Sequence, residues 1–145
     1  LGMVLIDKMG RKFLMYIGSL GYIISLALVS CAFAFEWQGV FVSIFLFVFI
    51  AAHAIGQGAV IWVFISEVFP TQHRAIGQAI GTSTHWVLAA LITLFTGPLL
   101  AMFENPYPVF LFFTLMMVIQ LIWVFKFMPE TKGKSLEDLS EELLD

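Results

Sequence analysis

Charged residues are scarce in this sequence: they make up 12% of its 145 residues, while 61% are hydrophobic. An ordinary soluble domain carries about twice that charged fraction. A water-facing surface is therefore excluded, and lipid is the expected solvent. In the long interval between Lys12 and Lys126, the charged residues all fall at breaks between apolar runs: Glu36, Glu67, Arg74 and Glu104. The sequence predicts a polytopic, all-α membrane protein.

Cysteine is nearly absent, since Cys31 is the only one. A lone cysteine excludes an internal disulfide and any metal cluster built from cysteines. The net charge of −3 comes mainly from the acidic C-terminal tail, and there is no basic patch interleaved with aromatic residues. Nucleic-acid binding is not expected. We predict no metal and no cofactor.

Four apolar segments lie between the charged breaks, at 13–35, 40–65, 76–102 and 109–128. Each reaches the roughly 20 residues needed to cross about 30 Å of hydrocarbon. The chain opens at Leu1 without a signal-type sequence, and residues 1–6 resemble the last turns of an earlier helix, so we expect a fragment of a longer protein. The expected units are a membrane bundle over 1–128 and a cytoplasmic tail over 129–145, in which Ser135 opens a short amphipathic helix.

The distribution of positive charge predicts the orientation. An alternating path through four spans places the 7–12 loop, the 66–75 loop and the C-terminal tail on one side of the membrane. Every lysine and arginine lies on that side: Lys8, Arg11, Lys12, Arg74, Lys126, Lys132 and Lys134. The positive-inside rule makes it the cytoplasmic side, with a cytoplasmic C-terminus in the cell membrane.

The interiors of the spans hold no Asp, Glu, Lys or Arg, and their only ionisable candidates are His53 and His85. No second ligand at metal spacing accompanies either histidine, so a packing or pocket role is favoured over metal binding. Ser83 and His85 are close in sequence, but residues two apart point to different faces of a helix. The segment therefore lacks the paired nucleophile and base of an intramembrane hydrolase, and we expect no enzyme activity.

Two tryptophans, Trp62 and Trp86, lie deep in consecutive spans, whereas Trp37 and Trp123 fall in or near interfacial positions. Gly56 and Gly58 interrupt the helix before Trp62, which is tolerated in membranes where helices approach closely or line a cavity. Aromatic faces suit the C–H faces of a sugar ring. Neutral groups able to bond its hydroxyls lie nearby: Gln57, Thr82, Thr84 and His85. The alternative, that both tryptophans fill gaps between helices, stays open.

Opposite charges are predicted to meet at the cytoplasmic ends of the spans. The first group surrounds Asp7 and Arg11, the second contains Glu67 and Arg74, and Glu130 follows the last span. Their contacts either latch one conformation of the protein or simply anchor the helix ends at the membrane surface.

Four motifs resemble the C-terminal part of a sugar porter of the major facilitator superfamily. Asp7-Lys-Met-Gly-Arg11-Lys12 is similar to the loop between helices eight and nine of that family. Ser66-Glu67-Val-Phe-Pro70 with Arg74 resembles the loop after helix ten, and Pro129-Glu-Thr-Lys-Gly133 resembles the sequence after helix twelve. The glycine-rich stretch ending in Trp62 resembles helix ten, so the resemblance extends from the end of helix eight through the tail.

The resemblance implies a fragment of a twelve-helix bundle that moves a monosaccharide, hexose or pentose, by alternating access as a uniporter or a proton symporter. The substrate-binding residues implied by the resemblance are Trp62, Trp86, His85 and Gly58, and Gln57 joins them as a neutral hydrogen-bonding group. The cytoplasmic charge network would comprise Asp7, Arg11, Glu67, Arg74 and Glu130. The implied partners are the sugar, the bilayer, the missing N-terminal half and, for a symporter, protons. His85 stands where asparagine or glutamine is usual in the family, so the preferred sugar is not implied.

Two other functions stay open at this point. A transporter-like sugar sensor or scaffold would keep the fold without transport. An intramembrane enzyme would need a catalytic pair in the missing part of the protein.

Overall fold

The computed structural model describes residue 6 and residues 8–133. Five helices follow one another: α1 (Arg11–Ala34), α2 (Gly39–Ile55), α3 (Gln57–Glu67), α4 (Arg74–Ala101) and α5 (Tyr107–Lys126). Helices α2 and α3 together make up one candidate membrane span. Four stretches of the described chain are long and apolar enough to cross a membrane: Arg11–Ala34, Gly39–Glu67, Arg74–Ala101 and Tyr107–Lys126. The predicted four-span helical bundle is confirmed. The helix expected after Ser135 lies outside the described residues.

Helix α1 is the centre of the bundle and packs mainly against α5 and α2. In its most apolar stretch 44% of the residues are buried, against 0% for α4. The buried face of α1 includes small polar residues, Ser19, Ser25 and Ser30, which occupy little volume and let neighbouring helices approach. Helix α4 packs mainly against α3 and leaves most of its surface open.

The tightest part of the core lies at the end of the bundle that carries the basic residues. Its buried members come from the ends of three spans and their flanks: Ile6, Leu14, Met15, Val60, Phe64, Val124 and Met128. Towards the other end, large apolar side chains are exposed on every span. Such surfaces are stable against lipid tails or against further membrane helices.

At the opposite end, polar bonds join the start of α5 to the end of α1. The Asn105 amide donates to the carbonyl of Phe33 at 2.8 Å, and the Ser30 hydroxyl donates to the carbonyl of Tyr107 at 3.0 Å. Pro108 lies in the first turn of α5, where its missing N–H removes no helical bond. These contacts hold α1 and α5 as an antiparallel pair.

Candidate functional site

A break in the second span separates α2 from α3 at Gly56, whose φ is −97° and ψ is −105°. There the chain touches the backbone of α1, since a Cβ on Gly56 would lie 2.6 Å from the Cα of Gly18. Only glycine at both positions allows this approach. The interruption of the helix predicted at this stretch is present in the structure, and the backbones of two spans lie in contact there.

Gln57 follows the break and turns its side chain towards α1. Its amide nitrogen donates to the Ser19 hydroxyl at 3.0 Å, and the residue is only 8% exposed. Its amide oxygen is buried and has no hydrogen-bond partner among the described residues. The structure therefore does not bring Gln57 to the predicted tryptophans, and its part in substrate binding stays a prediction.

Gly58 lies against His53 of the preceding turn, because a Cβ on Gly58 would be 2.8 Å from the His53 carbonyl oxygen and 2.9 Å from its Nε2. The Nδ1 atom of His53 is hydrogen-bonded to the Tyr22 hydroxyl of α1. The Tyr22 ring also stacks on Phe49, with 4.6 Å between the ring centroids. Gly58 thus makes room for a histidine that bridges α1 and α2, and no metal-binding group surrounds it among the described residues.

Three predicted site residues, Trp62, His85 and Trp86, meet where α3 packs against α4. The ring centroids are 5.1 Å apart for Trp62 and His85, 5.4 Å for His85 and Trp86, and 6.4 Å for the two tryptophans. Trp62 is 39% exposed and Trp86 is 62% exposed. The rings stabilise one another by offset and edge contacts and still present open faces to a ligand. We call these three residues the aromatic cluster.

Beside the aromatic cluster lies a cavity of about 500 Å³ between α3 and α4. Its lining combines the Trp62 ring with apolar and neutral polar side chains: Ile65, Gln78, Ala79, Thr82 and Ser83. The volume falls within the range of small-molecule sites. Thr82 was expected here from the sequence, whereas Gln78 was missed. Gln78 precedes Thr82 by four residues on one helix, and that spacing places both on the same face.

The side chains that line this cavity are suited to binding a ligand by non-covalent contacts. The cavity offers one aromatic face, two hydroxyls and a carboxamide, all of them neutral. Such groups donate and accept hydrogen bonds to a neutral polyol without the desolvation cost of a buried charge.

At the basic end, Arg11 of α1 holds Glu67 at the end of α3 in a two-pronged ion pair. Its Nη2 atom lies 2.6 Å from Oε1 of Glu67, and its Nε atom lies 3.0 Å from Oε2. The side chains are 11% and 21% exposed. The Thr131 hydroxyl also donates to Glu67 Oε2, at 2.5 Å. The fork of arginine matches a carboxylate in this geometry, which makes the pair specific as well as strong.

Glu130 caps the start of α1. Its two carboxylate oxygens accept the backbone N–H groups of Arg11 and Lys12, each at 3.0 Å. The first N–H groups of a helix lack partners within it and carry the positive end of its dipole, so a carboxylate stabilises them. The structure thus brings Arg11, Glu67 and Glu130 together. We call these three residues the latch.

The other two residues expected in the charge network are not seen in the latch. Arg74 donates to the Thr71 hydroxyl at 3.4 Å, and its Nε atom is buried without a partner among the described residues. Asp7 lies outside the described residues. Their part in the network stays a prediction.

Known proteins similar in sequence to this chain are members of one transporter family. The profile of the family described as "Sugar (and other) transporter" matches residues 1–143. The chain belongs to this family. Its sequence is 35% identical to the D-xylose-proton symporter of Escherichia coli K12 over 96% of this chain and 29% of the symporter. It is 34% identical to the arabinose-proton symporter of Bacillus subtilis, over 97% of this chain and 30% of the relative.

Solved structures show the same arrangement of helices. A crystal structure of a double tryptophan mutant of the xylose transporter XylE matches with a TM-score of 0.91 and 30% identity, over 99% of this chain and 31% of that chain. The inward-open conformation of XylE from E. coli matches with a TM-score of 0.84 and 33% identity, over 97% of this chain and 31% of that chain. The described helices are therefore part of a major-facilitator fold, as predicted. The chain spans about a third of the length of these relatives.

Proposed function

We propose that the protein containing these helices carries a monosaccharide across a cell membrane by alternating access. The observation that carries the proposal is the meeting of Trp62, His85 and Trp86 beside a neutral, polar cavity. The aromatic cluster would contact the C–H faces of a hexose or pentose, and His85 would hydrogen-bond a hydroxyl. Gly58 keeps space open for His53, which joins α2 to α1 beside the break. No bond of the sugar is made or broken.

The family relatives support transport as the activity, and their names include both proton-coupled and facilitated carriers. A D-xylose-proton symporter stands beside a facilitated trehalose transporter of Polypedilum vanderplanki, which is 28% identical over 97% of this chain and 29% of the relative. Proton coupling requires a group that changes its charge within the translocation pathway. The apolar interiors of the four spans contain no carboxylate, so symport would place its proton carrier in the other helices.

We further propose that the latch stabilises one conformation of the carrier and opens in another. It joins α1 to α3 and to the segment after α5, three parts that are far apart in the sequence. An interaction that is present in only one state shifts the balance between the states by its full free energy. The basic end is proposed to face the cytoplasm, because all lysine and arginine residues lie there.

Uptake of labelled sugars by vesicles tests the proposal directly. The full-length protein carries Trp62→Ala or Trp86→Ala, and the matched controls are Trp37→Ala and Trp123→Ala, which remove tryptophans outside the cluster. Losing an aromatic face costs about 1–2 kcal/mol of contact. We therefore expect kcat/KM to fall about 5- to 30-fold for the cluster variants and to change little for the controls.

The same assay separates the alternatives. A protonophore that abolishes accumulation indicates symport, and one that leaves the initial uptake rate unchanged indicates uniport. Equal losses for all four tryptophan variants would remove the aromatic cluster from the pathway. Sugar binding without uptake by correctly inserted wild-type protein would replace transport with a sensor function.

A further inference from the structure

A second groove lies between α1 and α5, and it shares no lining residue with the cavity beside the aromatic cluster. Its volume is about 560 Å³, and its walls come from one turn of α1 and the last turns of α5: Tyr16, Leu121, Ile122, Phe125 and Lys126. The Tyr16 and Phe125 rings both line the groove, and their centroids are 6.5 Å apart. Apart from the phenol and the ammonium group, the lining is apolar.

Two lysines stand at the basic end of this groove. Lys126 is exposed in the last turn of α5 and lines the groove itself. Lys12 reaches across from α1, and its ammonium group donates to the carbonyl of Phe125 at 3.3 Å. An ammonium group has three N–H donors, so Lys12 keeps two for another acceptor.

No carboxylate neutralises these two ammonium groups within the part of the chain that the structure describes. The carboxylate oxygens of Glu130, beside the start of α1, accept backbone N–H groups of Arg11, Lys12 and Lys132. The only ion pair recorded among the described residues joins Arg11 to Glu67. Among residues 8–133, neither ammonium group at this end of the groove forms an ion pair with a carboxylate.

We propose that this groove binds one anionic phospholipid, with Lys12 and Lys126 holding the phosphate and the apolar walls holding an acyl chain. The spacing fits an amphiphile lying along the helices. Tyr16 and Ile122 each lie four residues deeper than the adjacent lysine, about 6 Å along the helix axis. Positive charge thus occurs at headgroup depth, and apolar surface continues towards the bilayer centre.

The choice of a lipid rather than a soluble anion follows from this combination of charge and apolar surface. Basic pockets between membrane helices at the cytoplasmic face commonly hold anionic headgroups, and each lysine near such a surface strengthens the attraction. Two lysines correspond to roughly a 30-fold preference for an anionic over a zwitterionic lipid. The site is independent of sugar recognition, since none of its residues belongs to the aromatic cluster or its cavity.

Native mass spectrometry of the full-length protein tests the proposal in micelles containing equal amounts of phosphatidylglycerol and phosphatidylcholine. We expect wild type to retain one tightly bound phosphatidylglycerol. Lys12→Gln with Lys126→Gln should weaken its binding about 10- to 30-fold. The matched control, Lys8→Gln with Lys132→Gln, removes two positive charges from the same end but outside the groove and should retain the lipid.

Two further variants keep the test decisive if the double glutamine variant folds poorly. Lys12→Arg with Lys126→Arg keeps both charges and should retain phosphatidylglycerol, whereas Ile122→Trp keeps both lysines but narrows the apolar part and should weaken binding. Equal lipid loss in the groove variant and the matched control would overturn the site. So would no preference for phosphatidylglycerol in wild type, or full displacement of the lipid by millimolar inorganic phosphate.

Discussion

Gly10 immediately precedes α1 and has a backbone conformation that alanine rarely adopts. Its φ is +91° and its ψ is +156°, and Glu130 caps the helix directly beside it. A Cβ added to Gly10 would lie 2.6 Å from Oε2 of Glu130. Gly10→Ala therefore strains the backbone and displaces the carboxylate that binds the first N–H groups of α1.

The two effects have separate magnitudes. A non-glycine residue in this region of φ and ψ costs about 1–3 kcal/mol. Each charge-assisted bond from Glu130 to the backbone contributes roughly 1.5–3 kcal/mol, with lower values where water reaches the site. Because Glu130 is only partly buried, we expect the change to destabilise the folded state by about 2–4 kcal/mol in total.

Substitutions at two other glycines distinguish the effect of backbone strain from the effect of the contact with Glu130. Gly133 also has a positive φ, +73°, but a Cβ there would meet no atom within 4 Å. Gly39 is the first residue of α2, has no positive φ, and a Cβ there would also meet no atom within 4 Å. In thermal unfolding of the full-length protein, followed by tryptophan fluorescence, Gly10→Ala should lower the midpoint most and Gly133→Ala less. Gly39→Ala should leave it unchanged or raise it, because alanine favours helices.

A double-mutant cycle tests the assigned cause. Once Glu130→Ala has removed the carboxylate, Gly10→Ala should cost only the backbone strain, so the two changes should be less than additive. Full additivity, or a Gly10→Ala midpoint equal to that of Gly133→Ala, would refute the capping role of Glu130.

Two other predictions concern contacts between spans. Arg11→Lys keeps the positive charge but loses the two-pronged guanidinium contact with Glu67. In thermal unfolding, we expect a double-mutant cycle between Arg11 and Glu67 to give a coupling free energy of about 1–3 kcal/mol. A coupling free energy near zero would contradict the latch. Gly56→Ala places a methyl group against backbone, and we expect a loss of about 1–3 kcal/mol and a marked loss of monodisperse protein in size-exclusion chromatography. Gly81→Ala meets only a side chain at 3.1 Å and should be tolerated; equal behaviour of the two glycine variants would show that α1 and the break are not in firm contact.

The spans were predictable from the sequence because the hydrocarbon layer of the membrane requires apolar segments of a certain length and excludes charged residues from them. The helices end close to the predicted boundaries, since Glu36, Glu67 and Glu104 are costly to place in hydrocarbon. The sequence also predicted that Trp62 and Trp86 share one region, and the structure places their rings together. Their role in binding a sugar stays a prediction.

Contacts that depend on helix rotation were not predictable in the same way. Gln57 was expected beside Trp62, but the two residues are five positions apart in α3, which places their side chains about 140° apart around the helix. Gln57 pairs with Ser19 instead. Glu130 was expected only as a charge in the network. Its bonds to the first N–H groups of α1 join residues 119 and 118 positions apart, a separation that no local pattern reveals.

The aromatic cluster and the latch share one helix, so we expect them to be coupled if the proposed transport cycle is correct. Trp62 and Glu67 belong to the same 11-residue helix, α3. We expect a shift of Trp62 towards a sugar to move Glu67 as well, because one continuous helix carries both side chains. Glu67 cannot move far and keep its two bonds to Arg11, because α1 is held by Glu130 and by the contact at Gly56. We therefore expect sugar binding and latch opening to be thermodynamically coupled. A stronger latch would then weaken sugar binding in any conformation that requires α3 to be displaced.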